Sequence, residues 1–242
     1  MMPMTLSEVA QAVGCTAEYF LNNHAKITSI STDSRPQPED EDKESCLFVA
    51  LRGEKFDGHQ YVDSALRNKA AYALVDEKGV QEYCSEISPE HLIVCKDTEQ
   101  GFLDLAGYYR NQFQFKMVGV TGSVGKTTTK EMIAQVLSAQ YETLKTQGNF
   151  NNRVGLPKTL FQLDNSIEAA VIEMGMNSFG EISDLTRRAR PDAAVITNIG
   201  VAHIEYLGSR AGILKAKMEI IEGMKEGSPL ILNKDDDMLA DL

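Results

Sequence analysis

Val118-Gly-Val-Thr-Gly-Ser-Val-Gly-Lys-Thr-Thr-Thr-Lys130 decides how this chain is read. Ahead of its loop, Phe115 to Val120 is a short apolar run with the look of a buried strand. Behind it, Met132, Ile133, Val136 and Leu137 keep the period of a helix. Strand, glycine loop and helix in that order make a phosphate cradle. Glycines let backbone N–H groups curl around phosphate oxygens. The helix N-terminus adds a partial positive charge and Lys126 a full one. Gly122, Ser123, Gly125, Lys126, Thr127 and Thr128 are the candidate phosphate-contacting residues, and the Thr127 hydroxyl is placed to ligate Mg²⁺. The strict pattern asks for a glycine five positions before Gly125. Val120 stands there, with Gly119 one step further back. The bland alternative is a glycine-rich turn with a surface lysine. Strand, helix and Gly-Lys-Thr agree, so a nucleoside triphosphate is the expected ligand.

Outward from the loop, strand-like runs end at Val120, Ile172 and Ile196, and another spans Pro229 to Leu232, with helical segments between them. Such alternation implies a doubly wound parallel sheet, whose ligands bind beyond the carboxyl ends of the strands. Glu173 follows Ala169-Ala-Val-Ile172 directly and is a natural oxygen ligand for Mg²⁺ there. His203 falls past the next strand, at the same edge. In the helix expected over Arg210 to Met224, Ile213, Lys217, Ile220 and Met224 share one face, and Leu214, Met218 and Ile221 widen its apolar stripe. Lys217 therefore lies within a buried stripe, while Lys215 faces away with Glu219 available at i+4. Burial favours the neutral amine of a lysine. A neutral amine can take up carbon dioxide and become a metal-binding carbamate. The alternative is a snorkelling side chain.

The N-terminal part alternates Cys46 to Leu51, Ala71 to Val75 and His91 to Cys95 with helical stretches such as Tyr61 to Asn68, a small α/β unit. Thr5-Leu-Ser-Glu8 reads as a capping box opening a helix that Gly14 closes. The acidic stretch Pro36 to Glu44 reads as a solvated loop. We expect two domains, 1–97 and 98–242. After Leu232 a helix start at Met238 with no following strand suggests a sheet that is incomplete at its C-terminus. A net charge of -11 over 242 residues argues against a nucleic-acid partner. Cys15, Cys46, Cys84 and Cys95 lie too far apart for a zinc spacing and read as reduced, partly buried thiols of a cytoplasmic protein. No apolar run reaches membrane-spanning length, and no secretory signal is visible.

Taken together these residues resemble the Mur ligase family. The strings that carry the resemblance are Thr32-Asp-Ser-Arg35, Leu47 to Gly53 with Phe56-Asp-Gly-His59, Thr121 to Thr129, Gly148 to Asn152, Ile172-Glu-Met-Gly175, Thr197 to Ser209 and Lys215 to Ile220. The offset glycine is itself a feature of that family. The resemblance implies a small α/β uridine-nucleotide domain followed by a phosphate-loop ATPase domain. It implies an ATP-dependent C–N bond-forming ligase that adds D-alanyl-D-alanine to UDP-N-acetylmuramoyl-tripeptide in peptidoglycan precursor synthesis. ATP and Mg²⁺ would be its cofactors, and a monomer without membrane insertion is expected. Lys126 would hold the phosphates and Thr127 with Glu173 a first Mg²⁺. His203 and a carbamylated Lys217 would hold a second, so that Lys126, His203 and Lys217 form the catalytic set. Ser34 and Arg35 match the strip that contacts the uridine diphosphate part. Asn151 and Asn152 match the loop near the muramoyl peptide.

The family has a third domain that brings the amine. This chain resembles the first domain and part of the second, so it is expected to be inactive alone. Three other readings stay open. One is a different Mur-type or folate polyglutamylating ligase. Another is a small-molecule kinase using Arg187, Arg188 and Arg190. The last is a non-catalytic nucleotide-binding module.

Overall fold

The computed structural model describes residues 1–35, 45–53 and 55–242. The loop expected over Pro36 to Glu44 lies outside the described residues. Two compact units divide at Leu105 and Ala106.

In the first unit, β1 (Met4–Thr5) leads into α1 (Leu6–Ala12) through the expected capping box. Thr5 Oγ1 accepts from the Glu8 N–H at 3.2 Å, and the Glu8 carboxylate accepts from the Thr5 N–H at 2.7 Å. Gly14 follows the helix at φ 72°. After α2 (Glu18–Leu21), β2 (Lys26–Ile27) pairs antiparallel with β1. The main sheet is built from β3 (Ser29–Ser31), β4 (Cys46–Val49), β5 (Tyr72–Asp76) and β6 (Leu92–Cys95), parallel and in sequence order. Between its strands run α3 (Val62–Asn68) and α4 (Glu77–Tyr83). β4 is buried along its whole length, as a strand covered on both faces must be. Phe48, Ala73 and Val75 pack with Val62 and Ala65 on one face. Leu74 and Cys95 lie against Gly101 at the start of α5 (Thr98–Arg110).

In the second unit the chain order is β7 (Lys116–Thr121), α6 (Lys126–Leu137), β8 (Thr143–Lys145), α7 (Gly155–Leu160), β9 (Ala169–Glu173), α8 (Glu181–Ala189), β10 (Ala193–Ile196), α9 (Ile204–Leu207), α10 (Arg210–Met218) and β11 (Leu230–Leu232). All pairings are parallel, in the spatial order β11-β10-β7-β9-β8. The chain builds to one side of β7, then crosses to the other after β9. That reversal is the switch point where parallel sheets bind ligands. The register puts Glu173 opposite Val120 and Ile196 opposite Thr121, so the residues beyond three strand ends converge.

Three local expectations change. Met132 and Val136 of α6 are 65% and 74% exposed. The stripe that meets Val120 and Val171 is Ile133, Ala134 and Leu137, about 100° around the helix from them. The helix expected to reach Met224 leaves α geometry at Met218 and tightens to a 3₁₀ turn over Glu219–Gly223. There the Glu219 carboxylate accepts from the N–H groups of Gly180 and Ser183 instead of pairing with Lys215. The Ile220 carbonyl accepts from Thr186 Oγ1 at 2.7 Å. Ile221 is consequently exposed. At Met238 the chain makes turns rather than a helix, with Asp236 Oδ1 accepting from the Met238 N–H and Leu239 buried.

All four cysteines are free and buried. Burial pushes the Cys84 thiol up to about 11 and the Cys95 thiol up to about 12, which keeps both protonated and inert. Among the described residues no helix is long and apolar enough to cross a membrane.

Candidate functional site

The glycine loop joins β7 to α6 at the switch point. Gly122 has φ 150°, and a Cβ there would lie 1.8 Å from Thr197 Oγ1. Gly125 has φ 80° and caps α6. Both positions require glycine, for contact in one case and for conformation in both. Gly119 is an ordinary strand residue facing Ile220 and Pro191. The glycine missing at position 120 thus has no work to do, because the loop opens at Gly122. Lys126 Nζ donates to the Gly122 carbonyl at 2.9 Å, which folds the ammonium back over the loop. Thr127 and Thr128 are exposed in the first turn of α6, whose leading N–H groups have no partner within the helix.

Glu173 closes the second side. It is 2% exposed at the tip of β9 and held from three directions. Thr127 Oγ1 donates to its Oε2 at 2.9 Å and Asn151 Nδ2 to its Oε1 at 2.8 Å. Its own N–H donates to Thr146 Oγ1 at 3.0 Å. The Thr146 carbonyl accepts from the buried Lys130 Nζ at 2.6 Å. Two hard oxygens, from Thr127 and Glu173, therefore meet beside a cationic loop, a donor set that fits Mg²⁺ with water completing its shell. One further polar group is left over. Thr121 Oγ1, one residue before Gly122, is the buried side-chain polar atom without a hydrogen-bond partner among the described residues.

Lys217 is 3% exposed on α10. Burial, and then the nearby Lys126 charge, bring its amine down to about 7, so near neutral pH a large share is uncharged. Among the described residues no hydrogen bond or ion pair holds it. His203 is half-buried at φ 65° where α9 begins, and no hydrogen bond links its ring to Glu173 or Lys217 among the described residues. The loop residues, Thr127, Glu173, Asn151 and Lys217 thus share one neighbourhood, while His203 stands in the segment beyond β10. Asn152 does local work: its Oδ1 accepts from the N–H groups of Val154 and Gly155 ahead of α7. In the first unit, Ser34 is half-buried and Arg35 exposed in the turn after β3, where Arg35 forks onto Asp33 and holds that carboxyl well below its usual range. Lys130 and Thr146 were not legible as site residues. Lys130 stands four residues after Lys126, but its partner sits just past the three-residue edge strand β8.

This fold and loop define a parallel-sheet nucleotide-binding protein that carries a second α/β unit. Residues 120–242 match the Mur ligase middle domain, and residues 26–105 match the Mur ligase family catalytic domain; the chain belongs to the Mur ligase family. Among its relatives, the UDP-N-acetylmuramoyl-tripeptide--D-alanyl-D-alanine ligase of Bacillus subtilis (strain 168) is 42% identical over 241 residues, covering 99% of this chain and 50% of the relative. The Escherichia coli (strain K12) protein of the same name is 42% identical over 209 residues, covering 86% and 44%. Among solved structures, MurF from Acinetobacter baumannii superposes with a TM-score of 0.87 at 35% identity, covering 100% of this chain and 51% of that one. MurF ligase from Thermotoga maritima in complex with ADP gives 0.77 at 34% identity, covering 88% and 47%. The chain spans about half the length of the curated relatives it matches.

Proposed function

We propose that this chain supplies the uridine-nucleotide and ATP-binding parts of an ATP-dependent ligase that joins D-alanyl-D-alanine to UDP-N-acetylmuramoyl-tripeptide. The observation that carries the reading is the Lys126, Thr127, Glu173 and Asn151 constellation at the switch point of the second unit. The names borne by its relatives support the choice of substrates. A carboxylate oxygen of the tripeptide attacks the γ-phosphorus of ATP. The bond to the bridging oxygen breaks and ADP leaves, giving an acyl phosphate. The amine of D-alanyl-D-alanine then attacks the acyl carbon, loses a proton, and expels phosphate from the tetrahedral adduct.

Phosphoryl transfer of this kind needs alignment and charge neutralisation more than covalent help. Lys126 and the loop N–H groups hold the phosphates in line. Thr127 and Glu173 would hold Mg²⁺, which supplies charge neutralisation at the transferring group when bound. Asn151 fixes the Glu173 carboxylate by occupying its second oxygen. A buried Lys217 whose amine is readily uncharged can accept carbon dioxide and, with His203, offer a second cation site. Ser34 and Arg35 bind the uridine diphosphate end in domain 1–97, and ATP occupies domain 98–242. The protein works in the cytoplasm as a monomer.

Phosphate release by the full-length protein tests this reading. Release is expected only with UDP-N-acetylmuramoyl-tripeptide, ATP and D-alanyl-D-alanine together. A stable phosphoester product, or release indifferent to the dipeptide, would remove the ligase reading.

A further inference from the structure

We propose that Asn198 is a positioning residue that templates the phosphate loop before nucleotide arrives. The proposal rests on the reading of the loop as a triphosphate site. A glycine-rich loop has many conformations to lose, and ordering it on the ligand would consume binding energy. This loop is ordered by the segment that follows β10. Asn198 Oδ1 accepts from the Val124 N–H at 3.0 Å, and its Nδ2 donates to the Val124 carbonyl at 3.0 Å. One carboxamide thus grips both polar groups of a single residue, 74 positions away in sequence. The Asn198 carbonyl accepts from the Ser123 N–H at 3.0 Å. On either side, Thr197 Oγ1 donates to the Val124 carbonyl at 2.7 Å and the Gly200 N–H donates to Ser123 Oγ at 2.9 Å.

The pattern is selective. Ser123 and Val124 are satisfied from β10's side, and none of the five bonds uses the N–H groups of Gly125, Lys126 or Thr127, the ones a phosphate would take. The template is itself held from behind. The Ile199 N–H donates to Asp236 Oδ2 at 2.8 Å, and its carbonyl accepts from Arg210 Nε and Nη2 at 3.1 and 2.8 Å. Arg210 in turn forks onto Asp237. The carboxamide of asparagine or glutamine offers a donor and an acceptor side by side on one planar group, and the short asparagine stem suits a residue adjoining the loop. An aspartate would keep the acceptor and turn a like-polarity oxygen on the Val124 carbonyl.

The test is titration of ATP and of UDP-N-acetylmuramoyl-tripeptide into wild-type, Asn198→Ala, Asn198→Asp and Thr197→Val full-length protein, with hydrogen exchange followed at the Val124 amide. Losing both bonds should weaken ATP binding roughly 10- to 100-fold, with KM for ATP rising while kcat at saturation changes little. Asn198→Asp should be at least as damaging, Thr197→Val milder, and uridine substrate affinity unchanged in all. In wild-type protein the Val124 amide should be protected before ATP is added. Equal ATP affinity in wild type and Asn198→Ala overturns the proposal alone. So does a Val124 amide that becomes protected only with ATP, a result open even if the alanine variant fails to fold. A wild-type protein that binds no ATP overturns the reading of the loop, and the proposal with it.

Discussion

The two units carry parallel sheets whose carboxyl edges are finished in opposite ways. At the edge of the four-stranded sheet Arg52, Asp57, His59 and Asp76 answer one another. Arg52 bonds Asp57 at 2.8 Å and also grips Asp76. His59, 1% exposed, lies between Asp57 Oδ1 at 2.6 Å and the Asp76 N–H at 3.1 Å, which places the ring proton on Nδ1. Asp76 Oδ1 caps α4 through the Gly79 N–H at 2.7 Å. Burial alone would raise the Asp57 carboxyl, but hydrogen bonds from the His59 N–H, Arg52 and the His59 ring hold it down to about 2. At the edge of the five-stranded sheet Thr121 Oγ1 has no partner among the described residues, and Lys217 is buried beside a second cation. Groups left unanswered in a folded protein carry a desolvation cost of about 1–3 kcal/mol each, and each calls for an explanation. The Arg52, Asp57, His59 and Asp76 cluster holds its fold together, whereas the unsaturated edge coincides with the proposed triphosphate site.

Changes at the glycine loop should cost binding, and changes within the Arg52, Asp57, His59 and Asp76 cluster should cost stability. The largest effect is expected from Gly122→Ala, whose new Cβ would collide with Thr197 Oγ1 in a backbone conformation that suits glycine. ATP affinity should fall more than about 100-fold by titration calorimetry; a loss under threefold would erase the contrast. Gly79→Ala is its counterpart, since a Cβ there would lie 1.9 Å from the His59 ring, which is locked on two sides. Denaturant unfolding should show a loss of about 2–3 kcal/mol. ATP affinity should stay within about twofold, since the change lies outside the loop's unit.

The pH dependence separates the edges further. Folded, the Lys217 amine sits at about 7 against its ordinary 10.5. Between those values the unfolded chain binds the extra proton, so this residue makes stability rise with pH across that window. Lys217→Met should flatten that rise in unfolding curves recorded from pH 7 upward, and an unchanged slope would show that the amine is solvated. Asp57 acts in acid: its contribution is present above its ordinary 3.8 and is lost as pH falls through about 2. The smallest stability effect belongs to Arg35→Ala. Its pair with Asp33 is exposed, with side chains 80% and 38% accessible, and solvent screens it, so it should contribute little to stability. The same change should still weaken uridine-substrate binding, and unaltered affinity would remove Arg35 from that role.

Much of this contrast was legible in the chain. The loop is a local string, and Glu173 announces itself as a charge ending an apolar run. Lys217 falls on the buried stripe by spacing alone. The supports were not legible, because they are side-chain bonds to distant backbone. Lys130 reaches Thr146 across 16 residues, and Asn198 reaches Val124 across 74. Neither leaves a periodicity. The end of α10 at Met218 was hidden for the same reason, since Glu219 is drawn away by amides of the loop and first turn around α8. Met132 and Val136 misled because an i, i+4 apolar pair fits two adjacent faces of one helix.

The five-stranded edge alone should hold the triphosphate. Paired titrations of Mg²⁺–ATP and UDP-N-acetylmuramoyl-tripeptide into wild-type and Lys126→Ala full-length protein test it most directly. The variant should lose ATP binding and keep the uridine substrate within about twofold. Loss of both ligands together, or retention of ATP, would contradict it.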